Sequence, residues 1–323
     1  MRAIKALTVL AVLATVAWCG YWFVGARALD RAVANVLAEA PELSAEGHRV
    51  RGFPNRFDVT LEGPRLASEG VEWSAPFVQI FALSYRLNHL VAVFAPDQAL
   101  SLDGRRATLH SRDLRASVVM EPGLDLPLDR FTLIGADLDL ALDGATHGLD
   151  VLRLASRRTG PTQHEIALVA EAVFPDSGWL ARSDPEGLWP RRLDLLRLDA
   201  EIELSRPLDR HALASGGPHL TRLTLTGARI AWPGVGIDAA GRLTAGADGA
   251  LSGDVVLTVS GWRALLARLR DQGVLTPDYH ELLSTTLAPM AIGTEGDTIE
   301  APLSVVAGDV YVGPLLLGTL PRI

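Results

Sequence analysis

The chain of 323 residues has one cysteine, Cys19, and one lysine, Lys5. A single thiol forms neither an internal disulfide nor a paired-cysteine redox or zinc site, which excludes a disulfide-stapled fold. The 38 acidic residues outnumber the 30 basic ones, and the formal net charge is −8. Because nucleic-acid binding needs clustered positive charge, this balance argues against a nucleic-acid partner.

Recognisable catalytic motifs are also missing. The sequence has no nucleophile elbow, no zinc-protease helix motif, no phosphate-binding loop and no dinucleotide fingerprint. The nearest histidine pair, His211 and His219, flanks a Gly-Gly-Pro loop and is interpreted as surface. Leucines separate the aspartates of 137–144, which fits a strand ending in an Asp-Gly turn better than a calcium loop. We predict no enzyme, no cofactor and no metal site.

The first 25 residues have the composition of a membrane anchor. Arg2 and Lys5 precede an uncharged, mostly apolar run over 6–24. Its 19 residues would extend about 28 Å as a helix, close to the thickness of the hydrocarbon core. Four aromatic residues cluster at its far end: Trp18, Tyr21, Trp22 and Phe23. The positive start predicts that the N-terminus stays inside and that the body crosses the membrane.

Two alternatives to an uncleaved anchor are a cleaved signal peptide and a lipoprotein signal at Cys19. The anchor is favoured because bulky aromatics end the run, and Trp18 stands where a lipoprotein signal has a small residue. All three place the body outside the cytoplasm. We predict a single-pass inner-membrane protein with an anchor over 1–25 and a periplasmic body. Residues 26–41 read as an amphipathic linker helix that Pro41 ends.

The remaining chain, 42–323, reads as one β-rich domain. Apolar and polar residues alternate with period two, as in Leu196 to Leu204 and in Ile134 to Leu142. Two helices are predicted near the C-terminus, over Trp262–Arg270 and Asp278–Leu287. So few helices cannot cover the apolar faces of a dozen or more strands. We therefore predict a mainly β fold, with a long curled antiparallel sheet that forms a groove, an open barrel or a sandwich.

Four aromatic residues are candidates for lining a lipid groove in this sheet: Trp73, Phe77, Phe81 and Tyr85. Ordinary core packing is the alternative interpretation for each of them.

Three segments carry a resemblance to a known family: Gly52–Leu66, Trp73–Gln98 and Gly308–Ile323. In order and spacing they resemble the domain of unknown function 2125 family of Gram-negative bacteria. The resemblance covers nearly all of the chain after the anchor. That family has no established activity, so it implies location and architecture but no site residues.

A second resemblance is to AsmA-like envelope proteins, which begin with one membrane helix and continue as a long β groove. Its residues are the anchor, the block Gly52–Leu61, the strand-helix unit Leu251–Trp262 and the closing strand pair. It implies a role in holding or moving lipid, on a smaller scale than in the large members.

These observations leave three functional hypotheses. The favoured one is a membrane-anchored module that binds or transfers a phospholipid or another acyl-chain ligand. The second is a scaffolding protein with a closed β core that binds an envelope protein through a strand edge or the loop Pro175–Pro190. A hydrolase without a recognisable motif is the third.

Overall fold

The computed structural model describes residues 1–68, 70–183, 191–212, 217–292 and 297–322. The chain divides into two compact units, Met1–Val119 and Met120–Ile323. It is mainly β, with an apolar N-terminal helix, a few C-terminal helices and antiparallel strands in open sheets, as the sequence predicts. The loop Pro175–Pro190 is described only to residue 183, where helix α2 (Ser177–Ser183) ends. Its remaining residues lie outside the described part.

The N-terminal helix α1 runs without interruption over Arg2–Glu39. Its 38 residues are long and apolar enough in one window to cross a membrane. The boundary predicted between an anchor (1–25) and a linker helix (26–41) lies within this one helix. Ala40 takes an extended conformation and precedes Pro41, which disfavours further helix.

The first unit contains nine strands that follow α1. They are β1 (Leu43–Ser44), β2 (Gly47–Arg51), β3 (Arg56–Glu62), β4 (Arg65–Ser68), β5 (Val71–Ser74), β6 (Phe77–Leu83), β7 (Arg86–Phe94), β8 (Asp97–Leu102) and β9 (Arg105–Met120). Strand β9 pairs with β8 through its first half and with β7 through its second half. The two rows β2-β3-β6-β7 and β1-β4-β5-β8 therefore continue one another along β9.

A proline lies at each of three breaks between these rows, at Gly63-Pro64, Ala75-Pro76 and Ala95-Pro96. Proline has no backbone donor, so it interrupts a sheet ladder. The carbonyls of these prolines still accept hydrogen bonds from neighbouring strands, from Gly63 to Pro76 (2.8 Å) and from Ser111 to Pro96 (2.9 Å). Strands on the two sides of these breaks thus stay connected by backbone hydrogen bonds.

The turns at one end of this unit are called the tip turns. They comprise residues 52–55, between β2 and β3, and residues 84–85, between β6 and β7. At the other end Asp103-Gly104 joins β8 to β9.

The second unit is an antiparallel meander in which nearly every strand pairs with the next along the chain. Its strands are β10 (Leu128–Leu142), β11 (Ala145–Arg158), β12 (Gln163–Phe174), β13 (Leu193–Leu204), β14 (Leu220–Trp232), β15 (Val235–Ala245), β16 (Leu251–Ser260), β17 (Ala291–Ile292), β18 (Thr298–Val306), β19 (Asp309–Val312) and β20 (Leu315–Thr319). Strand β16 pairs with β18, across the helices α3 (Trp262–Asp271) and α4 (Pro277–Leu287). Both helices agree with the sequence prediction.

The predicted period-two alternation of buried and exposed residues is confirmed for β13 and is wrong for part of β10. On β13, Ala200 and Leu204 are buried while Arg197 is exposed, as predicted. On β10, Ile134 is 44% exposed and Leu138 is 7% exposed, so the two do not share an environment. Asp137 lies between them with a φ of 48°. This left-handed residue interrupts the regular alternation of the strand.

The helices α3 and α4 cover one part of the second unit's sheet. Trp262 is 1% exposed and forms a buried cluster with Val259, Leu266 and Ile299. The Thr276 hydroxyl caps α4 by accepting a hydrogen bond from the backbone N–H of Tyr279 (3.3 Å). A second cluster of Leu243, Leu251 and Val305 lies nearer the C-terminal strands.

Candidate functional site

The C-terminal half of α1 is fixed to the first unit through a small buried core. Trp22 (6% exposed), Ala26 and Phe57 (3%) form this core, and the Trp22 and Phe57 rings stack at 5.7 Å. Gly25 permits the approach, because a Cβ at this position would lie 2.8 Å from Phe57 Cζ. One face of α1 therefore packs on β2 and β3.

Hydrogen bonds from the aromatic cluster of α1 reach the tip turns. Trp18 Nε1 donates to the Pro54 carbonyl at 3.0 Å, and the Tyr21 hydroxyl donates to the Ser84 carbonyl at 2.5 Å. Trp22 Nε1 donates to the Arg56 carbonyl at 2.7 Å. These three bonds join the aromatic cluster of α1 to backbone carbonyls of the tip turns and of the start of β3.

The sequence locates this aromatic cluster at the far end of the apolar run but does not predict its contacts with the body. The contacts join residues 34 to 63 positions apart, which local patterns do not reveal. A signal was nevertheless present in Trp18, Trp22 and Gly25, which share one helix face at spacings of three and four.

The four predicted groove residues do not form one surface. Phe77 and Phe81 lie on the same side of β6, opposite Glu62 and Asp58 of β3. Trp73 instead contacts Phe94 edge to face at 6.1 Å and donates to Gln98 Oε1 at 2.9 Å.

Phe94 pairs with Val78, which alternates with Phe77, so Trp73 and Phe94 belong to the other side of the sheet. The break at Ala75-Pro76 separates Trp73 from β6 and accounts for this change of side. Tyr85 lies in a tip turn and is 68% exposed.

An extended apolar face in the second unit is the strongest candidate for a binding surface, and we call it the apolar face. Directly paired residues of antiparallel strands lie on the same side of a sheet. Continuous rows of paired side chains therefore cross from β11 to β18. One row comprises Leu152, Ala170, Leu196, Ile230, Ile237, Val259 and Ile299, and the next comprises Leu154, Leu168, Leu198, Ala228, Ala239, Leu257 and Ala301.

Each row spans seven strands, which at about 4.8 Å per strand is roughly 29 Å. The part of the apolar face on β15 to β18 lies under α3 and α4. Among the residues that the structure describes, neither buried cluster of this unit includes a side chain of β11, β12 or β13. The leucines of those strands, such as Leu168 and Leu198, are only partly buried.

The opposite side of the same strands is charged. Cross-strand ion pairs join Arg157 to Glu165 at 2.5 Å and Arg222 to Glu203 at 2.7 Å. Two hollows of about 380 and 370 Å³ lie among such side chains on this side. Exposed ion pairs of this kind contribute little stability and mark a surface that faces water.

One ionisable group lies at the edge of the apolar face. His164 is fully buried, and its Nδ1 is 3.2 Å from the Ser156 hydroxyl. Burial lowers the pKa of His164 below its ordinary value of 6.5, and repulsion from Arg158 lowers it further, against an opposing effect of Asp129. The imidazole is therefore neutral at pH 7, which suits an apolar surface.

The described residues give little support for a metal site or for a histidine site. No group of three or more His, Cys, Asp or Glu side chains in that part of the chain is placed to hold a metal ion. His211 accepts a hydrogen bond from its neighbour Arg210 and lies 3.8 Å from Asp125.

Comparison with known proteins gives one match. A family model described as an uncharacterized protein conserved in bacteria (DUF2125) matches residues 22–321. No curated protein and no solved structure matches the chain. The match spans both units and the docked half of α1, and it brings no activity and no site residues. The resemblance to AsmA-like proteins stays a prediction.

Proposed function

The chain belongs to the domain of unknown function 2125 family, and from this premise we propose that it is a membrane-anchored protein that binds acyl chains of lipid on its β-sheet. The body lies on the periplasmic side of the inner membrane, which is the orientation that Arg2 and Lys5 predict. Helix α1 is the anchor, since its most apolar window is only 6% buried.

The observation that carries the proposal is the apolar face over β11 to β13. Its side chains are aliphatic in successive rows, and they lie outside the two buried clusters of this unit. An aliphatic surface suits a lipid tail, which is apolar along its whole length and needs no hydrogen-bonding partner. Each methylene removed from water contributes about 0.8 kcal/mol. Ten buried methylenes would supply about 8 kcal/mol before the entropic cost of association.

Photo-crosslinking tests this proposal with a matched pair of positions on one strand. Leu198 lies on the apolar face between Leu168 and Ala228, whereas Leu195 lies on the other side and is paired with Glu171. We expect Leu198→p-benzoylphenylalanine to form a phospholipid adduct in cells, detected by mass spectrometry of the purified full chain. Leu195→p-benzoylphenylalanine should form little or none. Equal labelling of the two positions, or labelling of neither, would show that this face does not hold lipid.

A protein partner is the second candidate, and a different observation favours it. Strand β20 pairs with β19 only, among the described residues, and its Leu315, Leu316 and Leu317 are 50 to 54% exposed. An apolar edge strand is a template for strand addition by another chain. Leu316→Pro would block such pairing. If chemical crosslinking captures a protein partner with the wild-type chain but not with Leu316→Pro, the result would support a scaffolding role. Retention of the partner would exclude this edge.

A further inference from the structure

The tip turns of the first unit have the composition of a membrane-interface segment. Phe53 and Tyr85 of these turns are 50% and 68% exposed, and Leu87, beside them at the start of β7, is 54% exposed. The flanking sequences, Arg51–Arg56 and Leu83–Asn88, contain three arginines and no acidic residue. Exposed aromatic and aliphatic groups beside arginines are typical of segments at a lipid–water interface with anionic headgroups. The turn at the opposite end of the unit, Asp103-Gly104, is also followed by arginines, Arg105 and Arg106, but it contains an acidic residue and no aromatic one.

The depth of α1 in the bilayer sets the depth of these turns. A hydrocarbon core of about 30 Å needs roughly 20 helical residues. The uncharged run is only 19 residues long, over 6–24, so nearly all of it must lie within the membrane. Trp18 and Tyr21 belong to that run, and both donate hydrogen bonds to the tip turns.

The alternative placement leaves the tip turns in water but does not span the membrane. If the bilayer ended before Trp18, the span would be residues 6–17, or about 18 Å of helix, well short of the hydrocarbon core. Phe53 further ties its turn to the helix, because its ring stacks on Phe23 at 5.6 Å. A turn that contacts the last third of the span lies at the same depth as that third.

We infer that Phe53, Tyr85 and Leu87 enter the outer interface of the bilayer that α1 crosses, as a second membrane contact. This inference rests on the proposed anchoring by α1. The occupant is the phospholipid bilayer itself, because the turns are continuous with the membrane helix that they contact. Arg51 and Arg86 border the turns, where they would meet lipid phosphates, whereas Arg56 is paired with Asp58 at 2.9 Å. The contact holds the tip-turn end of the first unit against the membrane.

Depth-dependent fluorescence quenching tests the inference on the full chain. In a Cys19→Ser background, Tyr85→Cys is labelled with an environment-sensitive dye and compared with Ser68→Cys. Ser68 is exposed at the end of β4, and its pairing through Val71 to Leu102 places it near the end of the unit opposite the tip turns. Both proteins are reconstituted in vesicles of phosphatidylethanolamine and phosphatidylglycerol that contain phosphatidylcholine with a nitroxide near the top of its acyl chain.

We expect the dye at position 85 to be quenched severalfold more than the dye at position 68, with a blue-shifted emission. Equal quenching at the two positions would overturn the inference. Flotation of the vesicles after carbonate washing separates this failure from a failure of the anchor. A chain that floats with an unquenched dye at position 85 has an anchor but no inserted turns, whereas a chain removed by carbonate refutes both proposals.

Discussion

The docking of α1 on the first unit predicts opposite effects for two glycine-to-alanine substitutions in one helix. In an exposed helix, alanine is favoured over glycine by about 1 kcal/mol. A Cβ added at Gly20 would meet no atom within 4 Å, so Gly20→Ala should be neutral or stabilising. At Gly25 the same methyl would lie 2.8 Å from Phe57 Cζ. Because Phe57 is only 3% exposed, its ring has little room to move away.

The expected difference between the two variants follows from these values. Overpacking of a close contact costs about 1 to 3 kcal/mol. That cost corresponds to roughly a 5- to 150-fold shift in an equilibrium constant. Gly25→Ala should therefore weaken docking of α1 on β2 and β3 by about that factor relative to Gly20→Ala.

Hydrogen–deuterium exchange in detergent micelles measures this local change. Amides of β2 (Gly47–Arg51) should exchange faster in Gly25→Ala than in Gly20→Ala, and adding Phe57→Leu to Gly25→Ala should restore part of the protection. Identical exchange in the two alanine variants would refute the packing of α1 on Phe57.

Three further predictions concern the second unit. As the pH falls below 6.5, the unfolded chain binds a proton at His164 that the native chain resists, so the free energy of unfolding should fall with pH more steeply than in His164→Gln; parallel pH profiles would contradict the lowered pKa. Trp262→Ala should lower the free energy of unfolding by about 3 to 5 kcal/mol in urea titrations, because the side chain is 1% exposed, and a loss below about 1 kcal/mol would refute its place in the core. Arg157→Gln removes an exposed ion pair with Glu165 and should change the same free energy by less than about 1 kcal/mol, so a larger loss would show that the charged side is not freely hydrated.

Much of the fold could be predicted from the sequence because its signals are local. Alternation along β13 depends on neighbouring residues of the same strand, and the spacing of Trp262, Leu266 and Leu269 defines a helix face. Asp137 shows where this reasoning ends. A single left-handed residue within a strand leaves the sequence alternation intact, while Ile134 and Leu138 take different environments.

The candidate site was less predictable, because its parts are set by long-range pairing. Trp73 and Phe77 are four residues apart and would share a side of an unbroken strand, yet Ala75-Pro76 separates them. The apolar face depends on the register between strands, which the composition of a single strand does not determine. The alternating leucines indicate that each strand has an apolar side. Only the pairing of Leu168 with Leu198 shows that the apolar sides of β12 and β13 lie on the same side of the sheet.

The meander of the second unit also bears on how the chain folds during synthesis. From β10 to β16 each strand pairs with the strand made immediately before it, so every new hairpin closes a comparatively local contact. Topologies with local contacts fold faster than those that wait for distant segments. The growing sheet therefore always ends in one open edge that the next strand covers. Aggregation during synthesis would then depend on how long each edge strand stays unpaired before the next strand is made. This time is longest for β12 and β16, because long connections separate β12 from β13 and β16 from β18.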